Sequence, residues 1–378
     1  VSRWENGKQE PEAFYRRLLC LIFGVEERAL GFRPLDSDVI QVPASPDEAE
    51  ESALDVATRI HKWGRVNVDP AAVNALFQAV QSVVDRYEHA GPRGLMPEVV
   101  RLRRGIDVFM DGRQHPKQLL RTYKAAAKAS GLLGYMAVNL SRPELAVVYC
   151  DEAFQLASHA GDRDLQAWVR GTQSFAAYYR SEYIQARDLA RDGLRYAGEG
   201  GQAIRLLVNG EARALSRLDD ATGVHSAVTR AYALLDTVDT PAGLTSCISF
   251  EPYGQARIAA NAATAYLSLG DTARVLEYAR PLDVAVEDAD SDWSRSLVRL
   301  DVATALVRQQ CPEVEEAARI GVQALGASAS KPIASVRKRA AELRTTLGPW
   351  STIPTVRAFG EALDVWRQPE LVSPGRQR

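Results

Sequence analysis

Three asparagines and two arginines are the residues of this sequence whose types and spacing best suit a ligand site. Arg213 follows Asn209 by four positions and Arg257 precedes Asn261 by four, so each pair shares a helix face. With Asn139 they form a set of amides and guanidinia. An asparagine amide offers both a donor and an acceptor to an extended peptide backbone, and a guanidinium can take a terminal carboxylate with two parallel bonds. Arg170, Tyr178 and Arg180 extend the candidate surface. Ordinary hydrogen bonding between neighbouring helices would use the same residue types, and the spacing leaves both readings open.

Catalytic constellations are harder to find. The sequence holds no H-E-x-x-H, no P-loop and no nucleophile elbow. Gly198-Glu199-Gly200-Gly201 follows a helical pattern rather than a strand, which makes it a helix end and not a nucleotide fingerprint. The five histidines are scattered singly, most beside segment ends where capping is the simpler role. Glu50-Glu51 and Glu315-Glu316 fit solvated helix faces. Cys20, Cys150, Cys247 and Cys311 lie far apart in or near apolar runs, without metal-ligand spacing, as reduced packing residues of a cytoplasmic protein would. No enzyme activity, cofactor or metal is expected.

The candidates require a scaffold, and the hydrophobic pattern supplies one. With 46 Lys and Arg against 48 Asp and Glu the chain is nearly neutral, so any nucleic-acid contact must come from a local patch such as Arg3, Lys8, Arg16 and Arg17. No apolar run reaches the length of a membrane span. Residues 33–46 carry three prolines and read as a linker. Amphipathic helical segments follow at 47–64, 70–89 and 96–110, the middle one opened by Asp69-Pro70. This connector (47–115) leads into a repeat over 116–367, with a polar tail at 368–378.

The clearest repeat copy runs from Arg257 to Leu282, with Ala262, Ala263, Tyr266, Gly270-Asp271, Val275 and Ala279. Small residues let two antiparallel helices approach, the aromatic fills the gap between them, and Gly-Asp makes the turn. This pattern resembles a tetratricopeptide repeat. Weaker copies are carried by Gly134, Ala137, Ala146, Cys150 and Ala153, by Ser174, Ala177, Ala186, Ala190 and Gly193, by Ala212, Leu215, Asp219-Asp220 and Val224, and by Val302, Ala305, Ala317, Gly321 and Ala324. Their spacing is irregular and longer than the family's 34 residues. Two terminal helices, 335–346 and 356–366, would cap the stack. The partly apolar connection 238–252 breaks the rhythm; Ile248 and Phe250 suit a loop tucked into the groove or a neighbouring subunit, or packed on its own array. The fold class expected is all-α, a superhelical array of antiparallel helix pairs preceded by a truncated helix-turn-helix fragment.

That fragment is 1–32. Val1-Ser-Arg-Trp-Glu-Asn-Gly-Lys8, with Pro11 beyond, resembles the second half of the recognition helix and following turn of Xre-type (Cro/repressor-like) helix-turn-helix regulators. Residues 12–32, with Ala13, Phe14, Leu18, Ile22, Val25 and Leu30 on one face, resemble that domain's last two helices. The chain opens inside the motif, so a preceding helix pair in a longer native chain is expected. The resemblance implies that Ser2 and Arg3 face the major groove, with Arg3 reading a base edge or holding a phosphate. It assigns Asn6 and Lys8 to phosphates and Trp4 to the core. It further implies a transcriptional regulator that binds a double-stranded DNA operator as a homodimer, modulated by a peptide, small molecule or partner in the repeat groove. In such arrays the first helix of each pair lines the concave face, and Asn139, Asn209 and Asn261 all fall on first helices. The alternative is a tetratricopeptide-like adaptor that binds a protein partner and has no DNA-binding role.

Overall fold

The computed structural model describes residues 16, 20, 25, 27–32, 70–110, 114–279, 282 and 291–367. Ser2, Arg3, Asn6 and Lys8, most of the helix-turn-helix match, the expected linker, the 47–64 segment and the tail lie outside them. The chain divides into two compact units, Val1–Gly64 and Arg65–Arg378. In the first, a 3-10 turn is described at Glu27–Leu30. There Arg16 is only 9% exposed and stands over the Phe32 ring at 5.5 Å, so it is packed against an aromatic rather than spread on a DNA-facing surface.

Among its described residues the second unit consists of helices joined by turns, with no strand. In chain order these are α1 (Pro70–Met110), α2 (Pro116–Asn139), α3 (Pro143–His159), α4 (Arg163–Tyr179) and α5 (Tyr183–Ala197). Next comes α6, built from Gly201–Arg205, a π-helical stretch Leu206–Ala212 and Arg213–Arg217. Then follow α7 (Ala221–Ala233), α8 (Gln255–Leu269), α9 (Thr272–Ala279), α10 (Asp292–Arg308), α11 (Val314–Ser328), α12 (Ala334–Leu347) and α13 (Pro354–Arg367). From α2 onward, successive helices pack as pairs: α2 with α3, α4 with α5, and so on to α12 with α13. The array of antiparallel helix pairs expected from the sequence is the architecture observed.

Close approach within each pair follows from small residues. Gly134 of α2 lies so near α3 that an added Cβ would sit 2.5 Å from the Cys150 Sγ. Ala137, Ala146, Cys150 and Ala153 around it are fully buried. Small residues also let neighbouring pairs approach: a Cβ on Gly321 of α11 would meet the Phe359 ring of α13 at 2.8 Å.

Turns repeat one geometry. Residues Ser141, Gly161, Ser181, Asp219 and Gly270 all have positive φ, and the next backbone N–H donates to a carbonyl five residues back. This satisfies the orphan carbonyls at a helix end. Glycine supplies that conformation without strain; Ser141, Ser181 and Asp219 adopt it despite a Cβ.

Helix α1 is itself a pair. Gly91, at φ 75° and ψ 163°, breaks it just before Pro92. The Arg86 Nη2 lies 2.5 Å from the Glu98 Oε1. Twelve residues of straight helix would separate those positions by about 18 Å, so the limbs 70–90 and 92–110 fold back on each other. The second limb begins directly at Pro92 rather than at Met96, because the glycine leaves no need for a connecting loop.

The connection between α7 and α8 is tucked inside its own array. Ile248 is fully buried, the Trp168 Nε1 donates to the Ser249 carbonyl at 2.8 Å, and the Phe250 ring lies 4.6 Å from that of Trp168. The array also closes on itself. The buried Glu88 of α1 accepts from Ser246 in this loop at 3.0 Å and from Ser291, the N-cap of α10, at 2.8 Å. Tyr87 stacks edge-on against Trp293 at 5.2 Å, and the Trp293 Nε1 donates to the Lys331 carbonyl at 2.7 Å. Farther round, Arg337 of α12 donates to Ser141 at 2.8 Å.

A single change tests the turn geometry. Asp219→Gly replaces an exposed residue whose αL conformation costs about 1–2 kcal/mol. It should raise unfolding stability in urea by about 1 kcal/mol, less any loss to glycine's larger unfolded-state freedom. A loss of stability would show that the aspartate's side chain, not the backbone geometry, holds that turn.

Candidate functional site

Closure of the array leaves a chamber at its centre, lined from the first helix of every pair from α2 to α12 and from the α7–α8 loop. It has a volume of about 60 Å³. At roughly 10–15 Å³ per water on this measure it has room for a few waters or a compact ion. An outer chamber of about 340 Å³ adjoins it, sharing Tyr179, Arg213, Thr264, Ser335 and Arg339 as walls. Five of the eight ligand candidates named from the sequence come together here: Asn139, Asn209, Arg213, Arg257 and Asn261 all line the inner chamber. Tyr178 lines the outer one.

Each of the five also has a structural bond. The Asn139 Nδ2 donates to the Tyr87 hydroxyl at 2.7 Å. The Asn209 Oδ1 accepts from Arg213 at 2.9 Å, and its Nδ2 donates to the Tyr253 hydroxyl at 3.3 Å. Asn209 stands within the π-helical stretch of α6, whose wider winding still lets it meet Arg213 four residues on; such stretches often mark functional sites. Arg257 points its Nε at the Thr245 carbonyl, 2.6 Å away, and thereby pins the loop. The Asn261 Nδ2 donates back to the Arg257 carbonyl at 2.8 Å.

The remaining two candidates lie elsewhere. Arg170 of α4 bonds Asp192 of α5 at 2.7 Å and lies 3.7 Å over Phe154 of α3. Arg180 bonds Glu182 and borders a separate 540 Å³ groove where α12 closes against α2–α4. Sequence reasoning missed Asp301, Arg339, Thr264 and Tyr179. Asp301, only 3% exposed, binds Arg339 at 3.0 Å and accepts from the Thr264 hydroxyl at 2.7 Å. Burial pushes its carboxyl above the usual range, while Arg339 and Thr264 hold it back. A lone aspartate between Leu300 and Val302 was the available signal. Arg339 carried none, since α12 reads as a capping helix.

Electrostatics set this cavity apart. Arg213 is 5% exposed and Arg257 6%, yet every hydrogen bond each is seen to make is to a neutral group. Arg213 lies over Tyr178 at 4.4 Å and farther from Phe175 and Tyr179, and its Nε, though buried, has no partner. Burying an ion costs several kcal/mol. A desolvated cation–π contact returns about 2 kcal/mol and a neutral hydrogen bond about 1. For Arg213, burial works against the charge, and Tyr179 and Tyr178 beside it offset that, so an aromatic cage and not a carboxylate keeps the guanidinium charged. Across both chambers Arg213, Arg217, Arg257, Arg308, Lys338 and Arg339 face only two carboxylates, Asp301 and Glu342. Cys247, also on the wall, is kept a thiol: burial and then Glu88 push it up to about 12. Among the described residues no His, Cys, Asp and Glu cluster could hold a metal, and no helix is long and apolar enough to cross a membrane.

No family model matches the sequence, and no curated protein is significantly similar to it.

Arg339→Met should lower stability by about 3–5 kcal/mol at neutral pH, because Asp301 would be left buried and unpaired. A carboxyl whose folded pKa is raised contributes stability below its unfolded pKa and loses it as pH rises through the folded value. The deficit should therefore shrink toward pH 4 in urea titrations. A pH-independent deficit would mean that lost packing, not the stranded carboxylate, is responsible.

Proposed function

We propose that the protein is a DNA-binding transcriptional regulator whose helical array, residues 116–367, senses a small molecule. The sensor half rests on one observation: five polar residues chosen from sequence alone, on three different helices, line a single chamber. Its inner volume of about 60 Å³ is far below the roughly 300–1,000 Å³ that drug-sized ligands fill, and the outer chamber only reaches the low end of that range. Size favours a small molecule over an extended peptide. The DNA-binding half rests on the resemblance of Val1 to Pro11 and residues 12–32 to Xre-type domains. On that reading the protein acts in the cytoplasm as a homodimer on a palindromic operator, with half-sites about 34 Å apart. Arg3 and Ser2 approach base edges while Asn6 and Lys8 hold phosphates.

Selection of bound DNA from a random pool by the full-length gene product should yield a palindrome. Arg3→Ala should then weaken operator binding by about 1–3 kcal/mol, the worth of one bidentate base contact. Lys8→Ala should instead weaken binding to all sequences alike and lessen the salt dependence. No enriched sequence, or full affinity in Arg3→Ala and Asn6→Ala alike, would discard the regulator.

A further inference from the structure

We infer that the inner chamber is a binding site for a small oxyanion, a ligand bearing a carboxylate or phosphate group, held between Arg213 and Arg257 and drawn in through the outer chamber. The inference rests on the sensor reading and narrows its ligand to one chemical class. Three observations converge on it. The wall of the inner chamber carries the guanidinia of Arg213, Arg257 and Arg339 and no carboxylate. Of these, only Arg339 is seen in an ion pair, to Asp301, which lines the outer chamber instead. Arg213, 95% buried by its 5% exposure, keeps an unpartnered Nε while lining both chambers.

Buried charges in proteins are as a rule paired, and neither Arg213 nor Arg257 is seen in an ion pair. An oxyanion on the shared chamber wall would supply the missing partner. Guanidinium geometry suits it, because the fork matches the two oxygens of a carboxylate or phosphate. The outer chamber adds the means of entry. Its wall bears Arg217, Arg308 and Lys338 beside the carboxylate Glu342, an excess of positive charge that favours a negative ligand on the way to Arg213. Asn209 fixes the Arg213 fork from one side and Tyr178 covers its face.

The arrangement makes a demand that a purely structural arginine would not meet. If Arg213 is kept for an anion, Arg213→Met should leave the ligand-free protein as stable as before, or more stable, and abolish anion binding. A structural arginine would instead destabilise on replacement. Isothermal titration of the full chain with inorganic phosphate, and separately with malonate, at ionic strength matched by sodium chloride, should show one saturable site per chain for at least one probe. Phosphate alone would indicate a phosphate ester as the natural ligand, malonate alone a carboxylate, and both an unselective oxyanion site. Arg213→Met should weaken the uptake at least tenfold, with Arg213→Lys between the two because it keeps the charge and loses the fork. No saturable heat with either probe, or equal affinity in Arg213→Met, would overturn the inference. Operator binding without anion uptake would remove this site and leave the regulator; anion uptake without operator binding would do the reverse.

Discussion

Everything inside the array depends on one buried carboxylate. Glu88 reaches from the first helical hairpin to two hydroxyls, Ser246 in the α7–α8 loop and Ser291 at the start of α10. These residues are 158 and 203 positions away along the chain. A stack of helix pairs held only by nearest neighbours would be an open superhelix with a solvated groove. The Glu88 clasp, reinforced by Tyr87 against Trp293, brings distant turns of the stack together instead. What would have been a groove becomes an interior. The asparagines and arginines on its wall are removed from water, and their charges must be settled locally.

That enclosure turns ordinary polar side chains into a chemical constraint. On an open concave face Arg213 and Arg257 would be solvated and undemanding. Enclosed, both keep neutral hydrogen-bond partners, and Arg213 leans on Tyr178 and Tyr179 in place of a carboxylate. Asp301 and Arg339 show the other solution, a buried pair with its remaining valence met by Thr264 and the Leu297 carbonyl. The contrast between a carboxylate-paired arginine and two arginines seen with neutral partners alone, on one cavity wall, is the physical basis for reading it as a sensor. Strain kept in a folded protein is most often kept for function.

Much of this fold was legible because helix pairs advertise themselves in small residues. Gly134 with Cys150, Ala177 with Ala186, and the Gly270-Asp271 turn all fall where spacing placed them. The convergence of Asn139, Asn209, Arg213, Arg257 and Asn261 was legible too, since a first-helix position in each pair maps onto one inner face. Closure was not. Glu88 is one acid among many on a helix that read as a connector, and its partners lie too far along the chain for any local pattern to connect them. Arg170 and Arg180 show the limit from the other side: both lie near the right helix, yet neighbouring carboxylates, Asp192 and Glu182, hold them outside the chamber. Local pattern sets which face a residue takes; the carboxylate within reach, two residues on for Arg180 and on the next helix for Arg170, decides where its side chain ends.

Closure is the claim on which the chamber stands, and a double-mutant cycle between Glu88→Ala and Ser291→Ala measures it most directly. The closed array predicts a coupling energy of about 1–3 kcal/mol in urea unfolding, as expected for two groups in one buried hydrogen-bond network. Additivity within about 0.3–0.5 kcal/mol, the behaviour of sites that do not touch, would show that the two ends of this 203-residue separation do not meet.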